Sequence, residues 1–241
     1  MEKYEMKNTD IERVKELSKL LIDVVPIIPI PELPILCSHP YTNTIVVVGG
    51  RDSKKKSLNL TKHEDYQCWK KGLCNLINRA ISPEDILVYV NSAYYLTWFK
   101  FVKEYLSVED FAKIWAFCWV SQENPNADKN IPLRTAISIF RKADKRYLME
   151  HEDYERYSSF ENNLLVYRGV GLERVKNGLS WTTSLQKAEW FAHRFDACGK
   201  QGYVQKLVVK DRKNILAYFS TRSEEEVVID TFREKDCQII C

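Results

Sequence analysis

Three short segments carry residue types that can do chemistry together. In Val166-Tyr167-Arg168-Gly169, an arginine ends an apolar run and a glycine follows it. A permanently charged planar fork suits a phosphate or pyrophosphate, and Gly169 would let backbone approach such a ligand. In Gly178-Leu179-Ser180-Trp181-Thr182-Thr183-Ser184, strand alternation puts Ser180 and Thr182 on one face and Trp181 on the other. Two hydroxyls near an arginine can hold the polar groups of a sugar. In Ser223-Glu224-Glu225-Glu226-Val227-Val228-Ile229, an acidic triplet runs into a β-branched strand, with Glu224 and Glu226 on one face and Glu225 opposite. One carboxylate can stabilise a cationic sugar transition state while the other orients or deprotonates an acceptor. Each segment alone also has a plain structural reading: a strand-end ion pair, a polar strand edge leading to a helix cap, and a solvated acidic loop.

The elements that must position these groups follow from periodicity and punctuation. Thr9-Asp10-Ile11-Glu12 has capping-box spacing, and Ile11, Val14, Leu17, Leu20 and Leu21 make a helical stripe ending near Val25. Five prolines between Pro26 and Pro40 then predict an extended connector, suited to lie as a lid or to meet a partner. Thr44–Val48 reads as a strand ending at Gly49-Gly50, and residues 51–56 as a basic loop. Ser82-Pro83-Glu84-Asp85 starts a helix predicted to reach about Leu106, and Ser107 caps a second to about Val120. Asn124-Pro125-Asn126 breaks the chain before a third, Leu133–Tyr147. After Asn163 the pattern turns to strands: Leu164–Arg168, Tyr203–Val209, Ile215–Phe219 and Val227–Asp230, with a helix capped by Ser184 between them. A helical front and a strand-rich back make an α+β order.

Composition narrows the function classes. The chain has 241 residues, which at roughly 150 per domain allows one or two domains. A net charge of +3 argues against an arginine-rich nucleic-acid binder, although Lys54-Lys55-Lys56, Lys70-Lys71 and Arg141-Lys142 with Lys145-Arg146 can form a local basic track. Seven cysteines, odd in number and without a C-x-x-C pair, fit free thiols in a reducing compartment. The four histidines do not pair with cysteines at zinc spacing, so no metal is expected. A polar N-terminus and the absence of a long apolar run point to a cytoplasmic protein without a membrane partner.

Taken in order, aromatic-Arg-Gly, Ser-x-Thr and Glu-x-Glu resemble the Arg–Ser–Glu signature of the ADP-ribosyltransferase superfamily, in its cholera-toxin and clostridial-C3-like class. The diphtheria-like class would need histidine where Arg168 stands. The stretches Ala188-x-x-Phe191-Ala192, Ile215–Phe219, Trp119–Asn126 and Phe140-x-x-Ala143-Asp144-Lys145 are similar to phage and bacterial transferase-like proteins, so the resemblance covers about Ile114–Ile229. The usual Ser-Thr-Ser is Ser-Trp-Thr here, keeping a hydroxyl at both outer positions.

The resemblance implies a small split β-sandwich core behind helices, with 1–60 as an N-terminal extension and 61–241 as the transferase domain (helical part 83–150, NAD-binding core 160–241). It implies NAD as substrate and no metal. Glu226 would be the catalytic glutamate and Glu224 the acceptor-positioning one. Arg168 and Gly169 would meet the NAD phosphates, Ser180 would hold Glu226, and Thr182 would support the ribose side. Tyr218 and Phe219 would meet the target. The activity implied is a toxin or effector that ADP-ribosylates a cytoplasmic macromolecule, protein or RNA, in phage defence or beside an antitoxin or chaperone. The alternatives are an NAD glycohydrolase and an inert interaction module.

Overall fold

The computed structural model describes residues 8–49, 55–172, 174–197, 200–221, 224–230 and 236–240. Contacts divide the chain into two compact units, residues 1–114 with 121–123, and residues 115–120 with 124–241. The units therefore do not divide at residue 60, because the helices that follow it cluster with the N-terminal segment. Among the described residues, no helix is long and apolar enough to cross a membrane.

In the first unit, α1 (Ile11–Val24) is capped by Asp10, whose side chain accepts the Arg13 N–H at 3.0 Å. Thr9 is not the cap; its hydroxyl accepts the Ser107 N–H instead. The proline-rich segment is more than an extended connector, since β1 (Pro29–Ile30) and β2 (Leu33–Cys37) fold back on each other. A second hairpin pairs β3 (Ile45–Val48) with β4 (Lys56–Asn59); residues 51–54 of the expected basic loop lie outside the described residues. Residues 63–79, for which the sequence predicts no element, form α2 (His63–Arg79), burying Trp69, Leu73 and Ile77 at four-residue spacing.

The long helix expected from Ser82 is broken. The Ser82–Asp85 capping box starts α3 (Pro83–Leu87), but Asn91 then bonds back to the Pro40 and His39 carbonyls at 2.7 and 2.8 Å. Those bonds hold Asn91 in an extended conformation, and the helix resumes only as α4 (Tyr95–Val102). Around α1, Trp98 donates to the Ser18 hydroxyl and Tyr41 to the Ser18 carbonyl, so these buried polar groups satisfy one another.

Helix α5 (Val108–Ser121) supplies Trp115–Val120 to the second unit. There the expected helix over 133–147 ends early, as α6 (Leu133–Lys142) and α7 (Lys145–Leu148). Lys145 Nζ donates to the carbonyls of Phe140 and Leu216, both at 2.6 Å, closing the end of α6. Burial pushes its ammonium down to about 8. Helix α8 (His151–Ser159), also unpredicted, precedes the strands.

The strands are β5 (Leu164–Val170), β6 (Ser180–Thr182), β7 (Tyr203–Val209), β8 (Ile215–Phe219), β9 (Glu226–Ile229) and β10 (Cys237–Ile239). They form one antiparallel sheet in the order β10-β7-β5-β6-β9-β8, not two separately hydrogen-bonded sheets. The α+β order holds. The sheet is jointed: β5 pairs with β7 over seven couples but with β6 only through Tyr167 and Thr182. Helix α9 (Leu185–His193), capped by the Ser184 hydroxyl on Lys187 N–H, lies against β5 and β7.

Small residues set the approach of α9. A Cβ on Gly169 would meet the Ala188 carbonyl oxygen at 2.1 Å and Ala192 N at 2.5 Å; one on Gly202 would meet the Ala192 oxygen at 1.9 Å. Backbone cannot give way as a flexible side chain can. Gly169→Ala is therefore expected to destabilise the protein by about 1–3 kcal/mol in urea unfolding. Gly72→Ala in α2, where an added Cβ meets nothing within 4 Å, is expected to stabilise it by about 0.5–1 kcal/mol. Equal effects of the two substitutions would disprove the close packing of α9.

Candidate functional site

The predicted residues Arg168, Ser180 and Glu226 come together in the second unit. Strand β5 runs two residues beyond the expected end, so Arg168 lies within the strand and is buried, 7% exposed. Its neighbour Tyr167 packs on the other face, against Ala188, Ala192 and Val204. The guanidinium of Arg168 donates from Nη1 to the Ser180 carbonyl and from Nη2 to the Val175 carbonyl, the latter at 2.8 Å. Burial pushes it down to about 10, against the opposing pull of the Glu226 charge. A Cβ at Gly178 would fall 2.2 Å from Nη2 and 2.6 Å from Cζ. Glycine at 178 is thus the space in which the guanidinium sits.

Two buried polar atoms here have no partner among the described residues, Arg168 Nε and Gln205 Oε1. They belong to residues paired directly across β5 and β7, which places both side chains on one face.

Glu226 opens β9 and is paired across the ladder with Thr182 of β6. Its Oε1 accepts the indole N–H of Trp119 at 3.0 Å. Burial pushes its carboxyl above the usual range; hydrogen bonds from Ser180 and Trp119 pull it back. The Glu224 charge pushes it further up and Arg168 opposes that.

The expected strand alternation through Glu224 and Glu225 does not occur, because β9 begins only at Glu226. Glu225 has a left-handed φ of 50°, a conformation that costs a non-glycine residue about 1–2 kcal/mol. Its carboxylate is held by Lys187 of α9 at 2.8 Å and accepts from the Thr183 hydroxyl at 3.5 Å. Glu224, half-buried, lies near enough to act on Glu226 through its charge. Ser223 lies outside the described residues.

Other predicted residues are placed elsewhere. Thr182 is buried and its hydroxyl accepts the Ser184 N–H at 3.2 Å, at the entry to α9. Gly169 faces α9, as described above, so helix packing and not ligand approach demands glycine there. Tyr218 and Phe219 are core residues: Tyr218 meets Phe160 edge-on at 5.6 Å and Phe219 lies 6.4 Å from Phe140. Every side chain of β8 is buried, so neither aromatic offers a surface to a target.

Part of the basic track is paired within the chain, while Lys55, Lys56 and Lys71 are exposed. Arg141 pairs with Asp230, Arg146 with Asp144, Lys70 with Asp23, and Lys145 caps two carbonyls. Lys54 lies outside the described residues. Cys37, Cys68, Cys74 and Cys118 are free thiols; Cys198 and Cys241 lie outside the described residues.

Two residues escaped the sequence reading as members of the site. Trp119 reads from sequence as the end of a helix, and Asn126 as part of a chain break. Yet Trp119 holds Glu226, and Asn126 bonds to both Leu179 and Ser180. The one signal for them is that both fall in the upstream stretch of the family resemblance. No family model matches the chain, and no curated protein or solved structure matches it.

The half-buried Glu226 carboxylate carries a stability consequence. Because the folded state raises the Glu226 carboxyl, it binds that proton more tightly than the unfolded chain does. The stabilisation is present below the ordinary carboxylate range and is lost as pH rises through the raised value, so ionised Glu226 costs stability at neutral pH. Glu226→Gln removes that cost and keeps an oxygen for the Trp119 N–H. Its thermal midpoint is expected above wild type at pH 8, with the gap closing towards pH 4. A midpoint below wild type at pH 8 would contradict the burial of an ionisable group there.

Proposed function

We propose that this chain is a mono-ADP-ribosyltransferase that takes NAD as substrate and modifies a macromolecule of its own cytoplasm. The observation that carries the reading is the convergence of Arg168, Ser180 and Glu226, three residues singled out by type and order, around one half-buried carboxylate. In such a reaction the bond between nicotinamide and ribose breaks. Nicotinamide leaves with the electron pair, and positive charge develops on the ribose. An acceptor lone pair then closes on that carbon and the acceptor gives up a proton. A fixed carboxylate among few waters is what such a cation needs, because its field is little screened and it need not reorganise.

In this reading Glu226 meets the cation, and Trp119 and Ser180 hold it still. Arg168 has spent two N–H bonds on the Ser180 and Val175 carbonyls, so it shapes the site first; its unpartnered Nε–H is a donor that fits a phosphate oxygen. Glu224, beside Glu226 but outside the strand, suits the acceptor's proton and favours transfer over hydrolysis by water.

Glu226→Gln is expected to cut nicotinamide release by about 10²–10³-fold with the fold retained; normal turnover in that variant would remove Glu226 from the role. Glu224→Ala is expected to lower labelling of the acceptor about tenfold while nicotinamide is still released into water. Equal loss of both activities would take Glu224 out of acceptor handling. Incubation with labelled NAD and lysate, followed by protease or RNase, identifies the acceptor; label found only as free ADP-ribose would establish a glycohydrolase instead.

A further inference from the structure

Asn126 lies in a tight turn, Pro125–Ala127, upstream of α6. Both ends of its carboxamide are engaged. Its Oδ1 accepts the Leu179 backbone N–H at 2.6 Å, and its Nδ2 donates to the Ser180 hydroxyl oxygen at 2.8 Å. The two ends of an amide are told apart by their partners. A backbone N–H can only donate, so the atom it meets must be the oxygen. The other end is then the NH₂ group, which can only donate, and Ser180 Oγ must accept from it.

A hydroxyl has a single proton. With a donor already seated on its oxygen, Ser180 has its own hydrogen to give, and the carboxylate on its face of the β6–β9 ladder is that of Glu226, two positions along β9 from Val228, the partner of Ser180. The same residue is fixed at its carbonyl by Arg168, which holds its place in the strand. The Trp119 indole, a donor only, reaches Glu226 as well. The amide thus donates to the hydroxyl, which leaves the hydroxyl's own proton for the carboxylate on the same face.

We propose that Asn126 is a positioning residue: by donating to Ser180 it turns the Ser180 proton towards Glu226, so the carboxylate receives a hydrogen bond at a fixed place. The proposal rests on the reading of Glu226 as the reacting carboxylate only for its catalytic consequence. The bond pattern is a property of the folded chain whether or not NAD is the substrate.

Asn126→Asp separates the orienting role from a structural one. The variant keeps an oxygen for the Leu179 N–H and replaces the donor with an acceptor. Ser180 then gives its proton to the new carboxylate and Glu226 loses that bond. Arg168 and Glu224 are unchanged, but the new carboxylate adds its own upward push on Glu226. Asn126→Ala removes the donor without adding charge. In both variants the titration midpoint of the Glu226 carboxyl, read by carbon-13 NMR with Glu226→Gln as the assignment control, is expected to move up by about one pH unit.

With NAD, the acid limb of the kcat profile is expected to move by the same amount, and kcat at pH 7 to fall about tenfold with KM little changed. In a Ser180→Ala background, Asn126→Ala is expected to move the midpoint no further. A merely structural Asn126 would lower stability and leave both readouts in place. An unmoved midpoint in folded Asn126→Asp and Asn126→Ala overturns the proposal, as does an undiminished shift in the Ser180→Ala background. If the unaltered chain releases no nicotinamide, the transferase reading fails, and the NMR titration still decides the role of Asn126.

Discussion

Keeping a carboxylate ionised away from water costs several kcal/mol, and the surroundings of Glu226 are organised around that cost. Trp119, Ser180 and Arg168 reach it from a helix and two other strands, as donors or as an opposing charge. Arg168 is itself a buried charge and needs support of its own, which the Ser180 and Val175 carbonyls give. Its bond to the Ser180 carbonyl does further work. Strands β5 and β6 share a single ladder couple, so the guanidinium supplies an interstrand hydrogen bond where the sheet has few. The arginine that balances the glutamate also fastens the joint of the sheet, and Gly178 leaves the room for both.

Helix α9 ties this joint to the acidic segment. Its close seat on β5 and β7 depends on Gly169 and Gly202, and its Lys187 holds Glu225. Glu225 is where the backbone takes a left-handed turn before β9 begins. An exposed ion pair contributes at most about 1 kcal/mol, no more than the strain it sits beside. Its value is geometric: the turn lets three successive glutamates point to different environments, one to a lysine, one to a buried indole and one beside them. Regular alternation would have given only two.

The legible parts of this fold are those where local pattern and long-range packing agree. Strands β7 and β8 begin and end where their apolar runs do. Arg168, Ser180 and Glu226 were readable because residue type and order survive any change of register. The illegible parts depend on partners far along the chain. Asn91 breaks a helix whose own sequence would continue it, because carbonyls fifty residues earlier take its hydrogen bonds. Trp119 and Glu226 are 107 positions apart. Tyr218 and Phe219 look like candidates for a surface because aromatic pairs often are. Only the packing of Phe140 and Phe160 against them shows that β8 is covered on both faces.

That packing bears on how an acceptor would be chosen in the proposed reaction. Arg141, Lys145 and Arg146, the cations nearest to a basic track in sequence, are consumed by Asp230, two carbonyls and Asp144. A near-neutral chain with part of its clustered cations paired has less field with which to gather a polyanion from a distance. Selection would then fall on short-range contacts around the reacting carbon, where Glu224 stands beside Glu226. A carboxylate there favours acceptors that bring a proton to lose or a positive charge to pair, such as guanidinium, amine or exocyclic amino groups. A net charge of +3 thus limits long-range attraction without limiting the proposed chemistry, because the charges that would matter to the bond being broken are the few that the fold holds together, Arg168, Glu224 and Glu226.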